Sequence, residues 1–255
     1  MQLTLKKVKR VKTMAQIIFK TTQMFHDGIQ HPYPAYKNPP AWYKKMSVQI
    51  EPISVREDNE VVSFRTIKSC IPVRDLLFSG YIIPLWGELA SQKMDQDSPR
   101  TFSFVDSRME ETHVTRHFVN QFMGSPLEKE TRSFPMPKLG CPWSFHTDPG
   151  YSTLFIEPQY RENKISILPA IVDTDRWHSV LFPFKFNEKF SGKITSTEII
   201  PEGTPLIQAI PFKREDFKMH VEIRKPEEKQ NWLYQLQKKI NDSYLKNFHT
   251  RKNYR

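Results

Sequence analysis

A dense succession of short strand-forming segments limits what this chain can fold into. Between residues 144 and 224, alternating apolar and aromatic segments follow one another with Pro, Gly and Asn between them. Regular short strands separated by such turn residues are typical of sandwiches, jelly rolls and barrels. The predicted strands span residues 144–146, 153–157, 164–168, 180–186, 193–200, 206–212 and 218–224.

Composition favours the same class of fold. The 255 residues include 18 Phe, 9 Tyr and 5 Trp, and aromatic side chains are enriched in strands. Twenty prolines against eight glycines favour rigid turns and extended segments over long helices. We therefore predict a mainly β domain over residues 61–225, built as a β-clip or jelly-roll-like barrel or sandwich.

Upstream of residue 144 the pattern is sparser. Residues 1–60 form a basic opening followed by a strap rich in Pro and aromatic residues (26–43), which we expect to lie over the core surface. Further strands are predicted at 61–67, 71–73, 81–85 and 101–105. The i, i+4 spacing of Val114, Phe118 and Phe122 predicts one helix over 108–123.

The last 30 residues, 226–255, carry the pattern of an amphipathic helix with a basic tail. Pro226 suits a first helical turn, and Glu227 and Glu228 complement the helix N-terminus. An apolar stripe at i, i+4 spacing follows: Trp232, Leu236, Ile240, Tyr244 and Phe248. Such a stripe packs on its own domain or docks on another subunit.

Charge and targeting signals limit the partners. Most of the net charge of +10 lies within residues 1–12 and 246–255, so the body of the chain is close to neutral. The basic ends can hold an anionic partner or serve as solvated termini, and sequence-specific nucleic-acid binding is not predicted. No stretch approaches 18 apolar residues and no CxxC pair occurs, so we expect a cytoplasmic location (or a virion, if viral) and no membrane partner.

One possible metal set is His146, Asp148 and His220. An HxD pair with a distant histidine is the ligand set of Fe(II)/2-oxoglutarate oxygenases, and Arg224 would then meet the 2-oxoglutarate carboxylate. The alternative is structural, because Pro149 and Gly150 follow at once and indicate a turn.

Three segments in order resemble the nucleotide motifs of the dUTPase and dCTP-deaminase superfamily. They are residues 150–154 (GYSTL), 171–175 (IVDTD) and 203–208 (GTPLIQ). The resemblance implies a β-clip fold and a nucleotide site. In that site Asp173 would position the nucleophilic water, Ser152 and Gln208 would contact phosphate, and Trp177 would stack on sugar or base. Tyr151 and Asp175 would line the same site, and Mg²⁺ would accompany a bound nucleotide.

Two departures from the motifs weaken the catalytic implication. Tyr151 stands where the family has the arginine of its phosphate turn, and Ile82 stands where it has a carboxylate. Triphosphate chemistry needs a cation at that place, so we expect weak, non-catalytic nucleotide binding rather than a dUTPase-like hydrolase. The structural alternative is that Asp173 and Asp175 cap a turn and Gln208 bonds the backbone.

The whole chain also resembles a family of proteins of tailed bacteriophages, especially those of cyanobacteria. Five segments carry this resemblance: residues 39–46 (PPAWYKKM), 149–155 (PGYSTLF), 171–175 (IVDTD), 182–186 (FPFKF) and 203–215 (GTPLIQAIPFKRE). It implies a viral protein without indicating an activity. The hypotheses are therefore a nucleotide-binding or assembly module, a virion structural or assembly protein, and an oxygenase. In the first two, the partners would be further copies of the chain or other viral proteins.

Overall fold

The computed structural model describes most of the chain between residues 14 and 252. The described residues are 14–50, 53–54, 61–62, 65–94, 98–106, 108–109, 113–118, 120–131, 135–187, 197–227 and 249–252. Within them, every strand pairing is antiparallel, in sheets of five, four and three strands and two of two strands. The predicted mainly β fold is confirmed.

All but one of the described strands span two to six residues. In chain order they are β1 Ile17–Lys20, β2 Tyr33–Pro34, β3 Ile53–Ser54, β4 Val61–Val62, β5 Tyr81–Pro84, β6 Leu89–Gln92, β7 Thr101–Phe104, β8 Val114–Arg116, β9 Pro137–Gly140, β10 Ser144–Thr147, β11 Tyr151–Ile156, β12 Ile165–Ile167, β13 Ala170–Val172, β14 Leu181–Phe186, β15 Thr197–Ile200 and β16 Pro205–Lys213. The described α-helices are α1 Gln23–Gly28, α2 Ala41–Lys45, α3 Ile71–Phe78 and α4 Glu128–Thr131, with 3-10 turns at Ala35–Lys37 and Ile67–Ser69.

The five-stranded sheet has the order β13-β11-β16-β5-β2. Its longest strand, β16, lies between β11 and β5, and its residues from Leu206 to Ala209 are buried. Three of these four residues are apolar, and burial of successive residues is expected in a central strand that is covered on both faces. The other sheets have the orders β12-β14-β9-β8, β15-β6-β7, β1-β10 and β3-β4.

The core joins these sheets through aromatic rings. Phe145 on β10, Phe155 on β11 and Phe182 on β14 are buried and meet edge to face, with ring centroids 4.9 Å apart for Phe145 and Phe155 and 5.3 Å for Phe155 and Phe182. Trp86, two residues after the end of β5, is also fully buried in this cluster. The aromatic-rich composition thus forms the packing between separate sheets, in the edge-to-face geometry that aromatic quadrupoles prefer.

Three predicted elements are wrong. Residues 71–73 belong to α3, because Pro72 lies at the start of a helix, where its missing N–H costs nothing. Residues 114–116 form β8, whose Val114 pairs with Leu139 of β9, so no helix spans 108–123, and Phe118 is exposed. Residues 218–224 form no strand.

The strap at residues 26–43 contains the end of α1, β2, a 3-10 turn and the start of α2. Ala35 and Tyr43 are buried, and β2 pairs with β5 at the edge of the large sheet. The predicted C-terminal helix lies outside the described residues, apart from residues 226–227 and 249–252. Among the described helices none is long and apolar enough to span a membrane.

Candidate functional site

Three chain segments meet at one end of the large sheet. A turn over residues 148–151 precedes β11, a second turn follows β13 at Asp173, and Arg214 follows the last residue of β16. Since β11 lies between β13 and β16, these points are neighbours across the sheet. Gly150, with φ of +85°, occupies the left-handed position of the first turn, where glycine carries no steric penalty.

Four side chains converge there, and we call them the Arg214 cluster: Ser152, Asp173, Asp175 and Arg214. The Ser152 hydroxyl donates to Asp173 Oδ1 at 2.6 Å. Arg214 Nη1 lies 3.1 Å from Asp173 Oδ1 and donates to Asp175 Oδ1 at 2.9 Å, while Nη2 donates to Asp175 Oδ2. The guanidinium thus connects both carboxylates.

Backbone groups complete the cluster. Arg214 Nη1 also donates to the Tyr151 carbonyl oxygen at 2.9 Å, and the Gly150 N–H donates to Asp175 Oδ2 at 2.8 Å. The Arg214 N–H donates to the Gly150 carbonyl oxygen at 2.8 Å. These bonds fix the end of β16 against the turn that begins β11.

The electrostatics of the cluster follow from this pairing. The hydrogen bond from Arg214, followed by the one from the Gly150 N–H, lowers the pKa of Asp175 to about 2. The same hydrogen bond, with the neighbouring carboxylates, raises the pKa of Arg214. The Asp175 side chain is 6% exposed and that of Asp173 is 53% exposed, so only Asp173 presents its carboxylate to solvent. Two carboxylates face one guanidinium, which gives this group of side chains a net charge of −1 and does not favour phosphate.

The structure brings together only part of the predicted nucleotide site. Ser152, Asp173 and Asp175 converge, and Tyr151 contributes its carbonyl oxygen. Trp177 is exposed, and its indole N–H donates to the Ser179 carbonyl oxygen at 2.5 Å.

Gln208 lies away from the cluster. It pairs with Ile156, four residues along β11 from Ser152, which corresponds to ~13 Å at 3.3 Å per residue. Its amide donates to the carbonyl oxygens of Leu76 and Ser79, both at 2.8 Å, and the residue is buried. Gln208 therefore fastens α3 to the sheet, and its predicted contact with a phosphate in the same site is wrong.

The predicted iron ligands do not assemble. His146 stacks on His178 with ring centroids 3.9 Å apart, and Asp148 Oδ2 accepts the Gln16 N–H at 3.0 Å. His220 is exposed beyond β16. Across the described part of the chain, no three His, Cys, Asp or Glu side chains form a group that could hold a metal ion. The predicted ligand set of His146, Asp148 and His220 is therefore wrong.

Sequence reasoning missed Arg214, the centre of the cluster. This arginine comes from the end of the neighbouring strand β16 rather than from the turn that contains Tyr151. The signal was present in the antiparallel pairing of β11 and β16, since Lys213 pairs with Tyr151 and residue 214 must then face the turn. The sequence alone does not show which strands are neighbours, so it does not predict that Arg214 lies in the cluster.

A second feature begins where the cluster ends, and we call residues 215–225 the projecting arm. Its large apolar residues alternate with polar ones and are almost wholly exposed: Phe217 at 91%, Met219 at 85%, Val221 at 86% and Ile223 at 99%. Within the described residues, 215–223 make no backbone hydrogen bond and belong to no helix or strand.

Residues 249–252 contact helix α3. At residues 249–252, His249 Nε2 lies 3.2 Å from Asp75 Oδ2 on α3, and Lys252 forms an ion pair with the same carboxylate.

Comparison of the chain with protein-family models, curated proteins and solved structures finds no match.

Proposed function

We propose that this protein is a non-catalytic assembly module that forms homo-oligomers through the projecting arm. The observation that carries the proposal is the exposure of Phe217, Met219, Val221 and Ile223, each at least 85% accessible. Apolar side chains of this size, placed in a row on the surface, mark sites of protein–protein contact. Period-2 alternation is the pattern of a strand with one covered face, so the arm is suited to adding a strand to a partner.

The Arg214 cluster supports this function by fixing the origin of the arm. Arg214 is the last residue before the arm, and its side chain and N–H are bonded to Asp175 and Gly150 respectively. A bidentate guanidinium–carboxylate pair is directional as well as strong, so the arm leaves the domain from a defined point. An arm with a fixed origin loses less entropy on pairing than a freely hinged one.

The resemblances identified in the sequence are compatible with this proposal. β-clip and jelly-roll domains are common building blocks, and a phage-type protein would use such a block in a virion or during its assembly. The basic ends and the strap would then face neighbouring subunits or other viral proteins. The mainly β architecture supports this class of fold.

Weak nucleotide binding is the second candidate, favoured by one observation. Ser152 and Asp173 lie together, 2.6 Å apart, as the dUTPase-like resemblance implies, and the Asp173 carboxylate is half exposed. Against it, Arg214 is already bonded to Asp175, and Gln208 is buried elsewhere. The assembly function is therefore the better supported of the two.

Sedimentation velocity over a range of protein concentrations tests the proposal. The variant carries serine at all four apolar arm positions (Phe217→Ser, Met219→Ser, Val221→Ser and Ile223→Ser). We expect the wild-type protein to sediment as an oligomer and the variant as a monomer with an unchanged melting temperature.

The matched control replaces two exposed apolar residues outside the arm, Met94→Ser and Phe118→Ser. We expect this control to form the same oligomer as the wild-type protein. A wild-type protein that stays monomeric up to about 100 µM, or a four-serine variant that remains oligomeric, would contradict the assembly function. Either result would show that the arm does not mediate self-association.

A further inference from the structure

We infer that the partner of the projecting arm is the same arm of a second copy, paired antiparallel about a two-fold axis that passes through His220. The inference rests on the proposed assembly function and names its partner and register. It follows from the arrangement of charges about His220: Asp216 and Lys218 precede it, and Glu222 and Arg224 follow it at the same spacings with the opposite signs.

Antiparallel pairing about His220 makes every position of the arm complementary. Lys218 lies opposite Glu222 of the second copy, and Asp216 lies opposite Arg224. Residues directly opposite in an antiparallel pair share one face, so these charges form one face of the ribbon.

The other face is apolar. Phe217 lies opposite Ile223, and Met219 opposite Val221, so the exposed apolar residues of both arms gather on one side. Aromatic and β-branched residues in opposite positions are favourable cross-strand pairs. Pairing thus joins side chains that are 85–99% exposed in the single chain.

Other registers are less favourable. A shift of two residues in one direction places Asp216 against Glu222, and in the other direction places Lys218 against Arg224. A shift of one residue sets the apolar face of one arm against the polar face of the other. Parallel pairing in register places each charged residue beside the identical residue of the second copy. Like charges directly opposite destabilise a sheet, so one register is selected.

The backbone of the arm is available for this pairing. Residues 215–223 make no backbone hydrogen bond within the described part of the chain, so their N–H and C=O groups can form a ladder with a second strand. A two-fold interface is isologous, which means that one sequence supplies both sides and the assembly closes as a dimer. Polar side chains on the other face keep the single arm solvated before pairing.

Cysteine cross-linking tests the register. The two-fold axis places the two residues 220 directly opposite each other, with Cα atoms about 4.5–5.5 Å apart, which is within disulfide range. We expect the His220→Cys variant to form disulfide-linked dimers on mild oxidation. Lys218→Cys and Glu222→Cys alone should not do so, but an equimolar mixture of the two should. The wild-type protein, oxidised in parallel, accounts for Cys70 and Cys141.

Charge exchange gives an independent measurement by sedimentation equilibrium. Lys218→Glu sets like charges opposite each other in two symmetric places, and we expect dimer affinity to fall on the order of tenfold. The double variant Lys218→Glu with Glu222→Lys restores opposite pairs and should recover the wild-type affinity.

Two results would overturn the inference while leaving the assembly function intact. The first is a wild-type oligomer that depends on the four apolar residues, combined with a His220→Cys variant that forms no disulfide-linked dimer. This result is expected if the arm pairs with a sheet edge of the second copy rather than with its arm. The other is a double charge variant no better than its single parent. A monomeric wild-type protein would overturn both the inference and the assembly function.

Discussion

Arg214 Nη1 lies 2.9 Å from Asp175 Oδ1, and Nη2 hydrogen-bonds the second carboxylate oxygen, at the residue where β16 gives way to the projecting arm. The same carboxylate accepts the Gly150 N–H. One side chain, Asp175, therefore links the turn before β11 with the end of β16. The cluster joins the rigid sheet to the segment proposed to make contact with a second subunit.

The Asp175→Asn variant should lower the melting temperature, with a specific pH dependence. The pKa of Asp175 is lowered to about 2 in the folded protein from an ordinary value of 3.8. Its contribution to stability is therefore complete above about pH 4 and is lost as the pH falls toward 2, because the unfolded chain binds the proton first. We expect a difference of several degrees at pH 7 that narrows below pH 4, measured by thermal denaturation.

Glu162→Gln provides a matched control, since Glu162 is an exposed acid outside the cluster. Its melting temperature should follow the wild-type value at each pH. A difference between Asp175→Asn and wild type that stays constant from pH 7 to pH 3 would show that the carboxylate charge is not what stabilises the cluster.

Deoxynucleotides should give no heat of binding in isothermal titration with dUTP, dCTP or dUMP at millimolar concentration. Arg214 is held by Asp175, and the cluster carries an excess negative charge, so a phosphate meets no free guanidinium there. The Asp173→Asn variant should instead melt at a lower temperature, because it disturbs the bonds to Ser152 and Arg214. Binding heat in the wild type that Asp173→Asn loses would favour the nucleotide site.

The sequence predicted the strands of the second half of the domain well, and physical reasons explain where it did not. β11, β14 and β16 combine alternation or buried apolar runs with clear turn residues, which are local signals. The strand at 218–224 was predicted from the same alternation and is absent. Alternation indicates which face of a strand can be buried. A strand forms only where a neighbouring strand supplies hydrogen-bond partners for its backbone.

The candidate site was predictable only in part for a related reason. Ser152, Asp173 and Asp175 lie in short motifs that mark turns, and these turns do meet. Gln208 lies in a similar motif, but its position on β16 directs it to α3, far from the other three. Arg214 lies outside the three nucleotide motifs and enters the site only through the pairing of β16 with β11. Neighbouring strands, rather than local sequence, determine these two positions.

The stacked pair of His146 and His178 should make the protein less stable in mild acid. Burial, followed by repulsion from His178, lowers the pKa of His146 below its ordinary 6.5. The unfolded chain then binds a proton more readily than the folded protein, so stability is complete above about pH 6.5 and declines as the pH falls. Melting temperatures between pH 7.5 and 5 should show this decline in the wild type and a weaker one in His146→Gln.

His26→Gln is the matched control for the histidine pair, because His26 is an exposed histidine on α1 that does not contact His146 or His178. This variant should keep the wild-type decline. If His146→Gln declines as steeply as the wild type, the acid sensitivity arises at another group.

Gly80→Ala should destabilise the fold far more than Gly150→Ala, although both glycines have left-handed backbones with φ of +69° and +85°. A Cβ at residue 80 would lie 2.1 Å from the Ala209 carbonyl oxygen, whereas one at residue 150 meets nothing within 4 Å. Gly150→Ala therefore adds only the left-handed penalty, about 1–2 kcal/mol. Gly80→Ala also displaces β5 from the central strand β16 and should cost about 3–5 kcal/mol in total.

Thermal denaturation measures this difference. The melting temperature should fall by about 10 °C or more for Gly80→Ala and by about 4 °C for Gly150→Ala. Equal losses in the two variants would mean that β5 and β16 are not held together as closely as Gly80 requires.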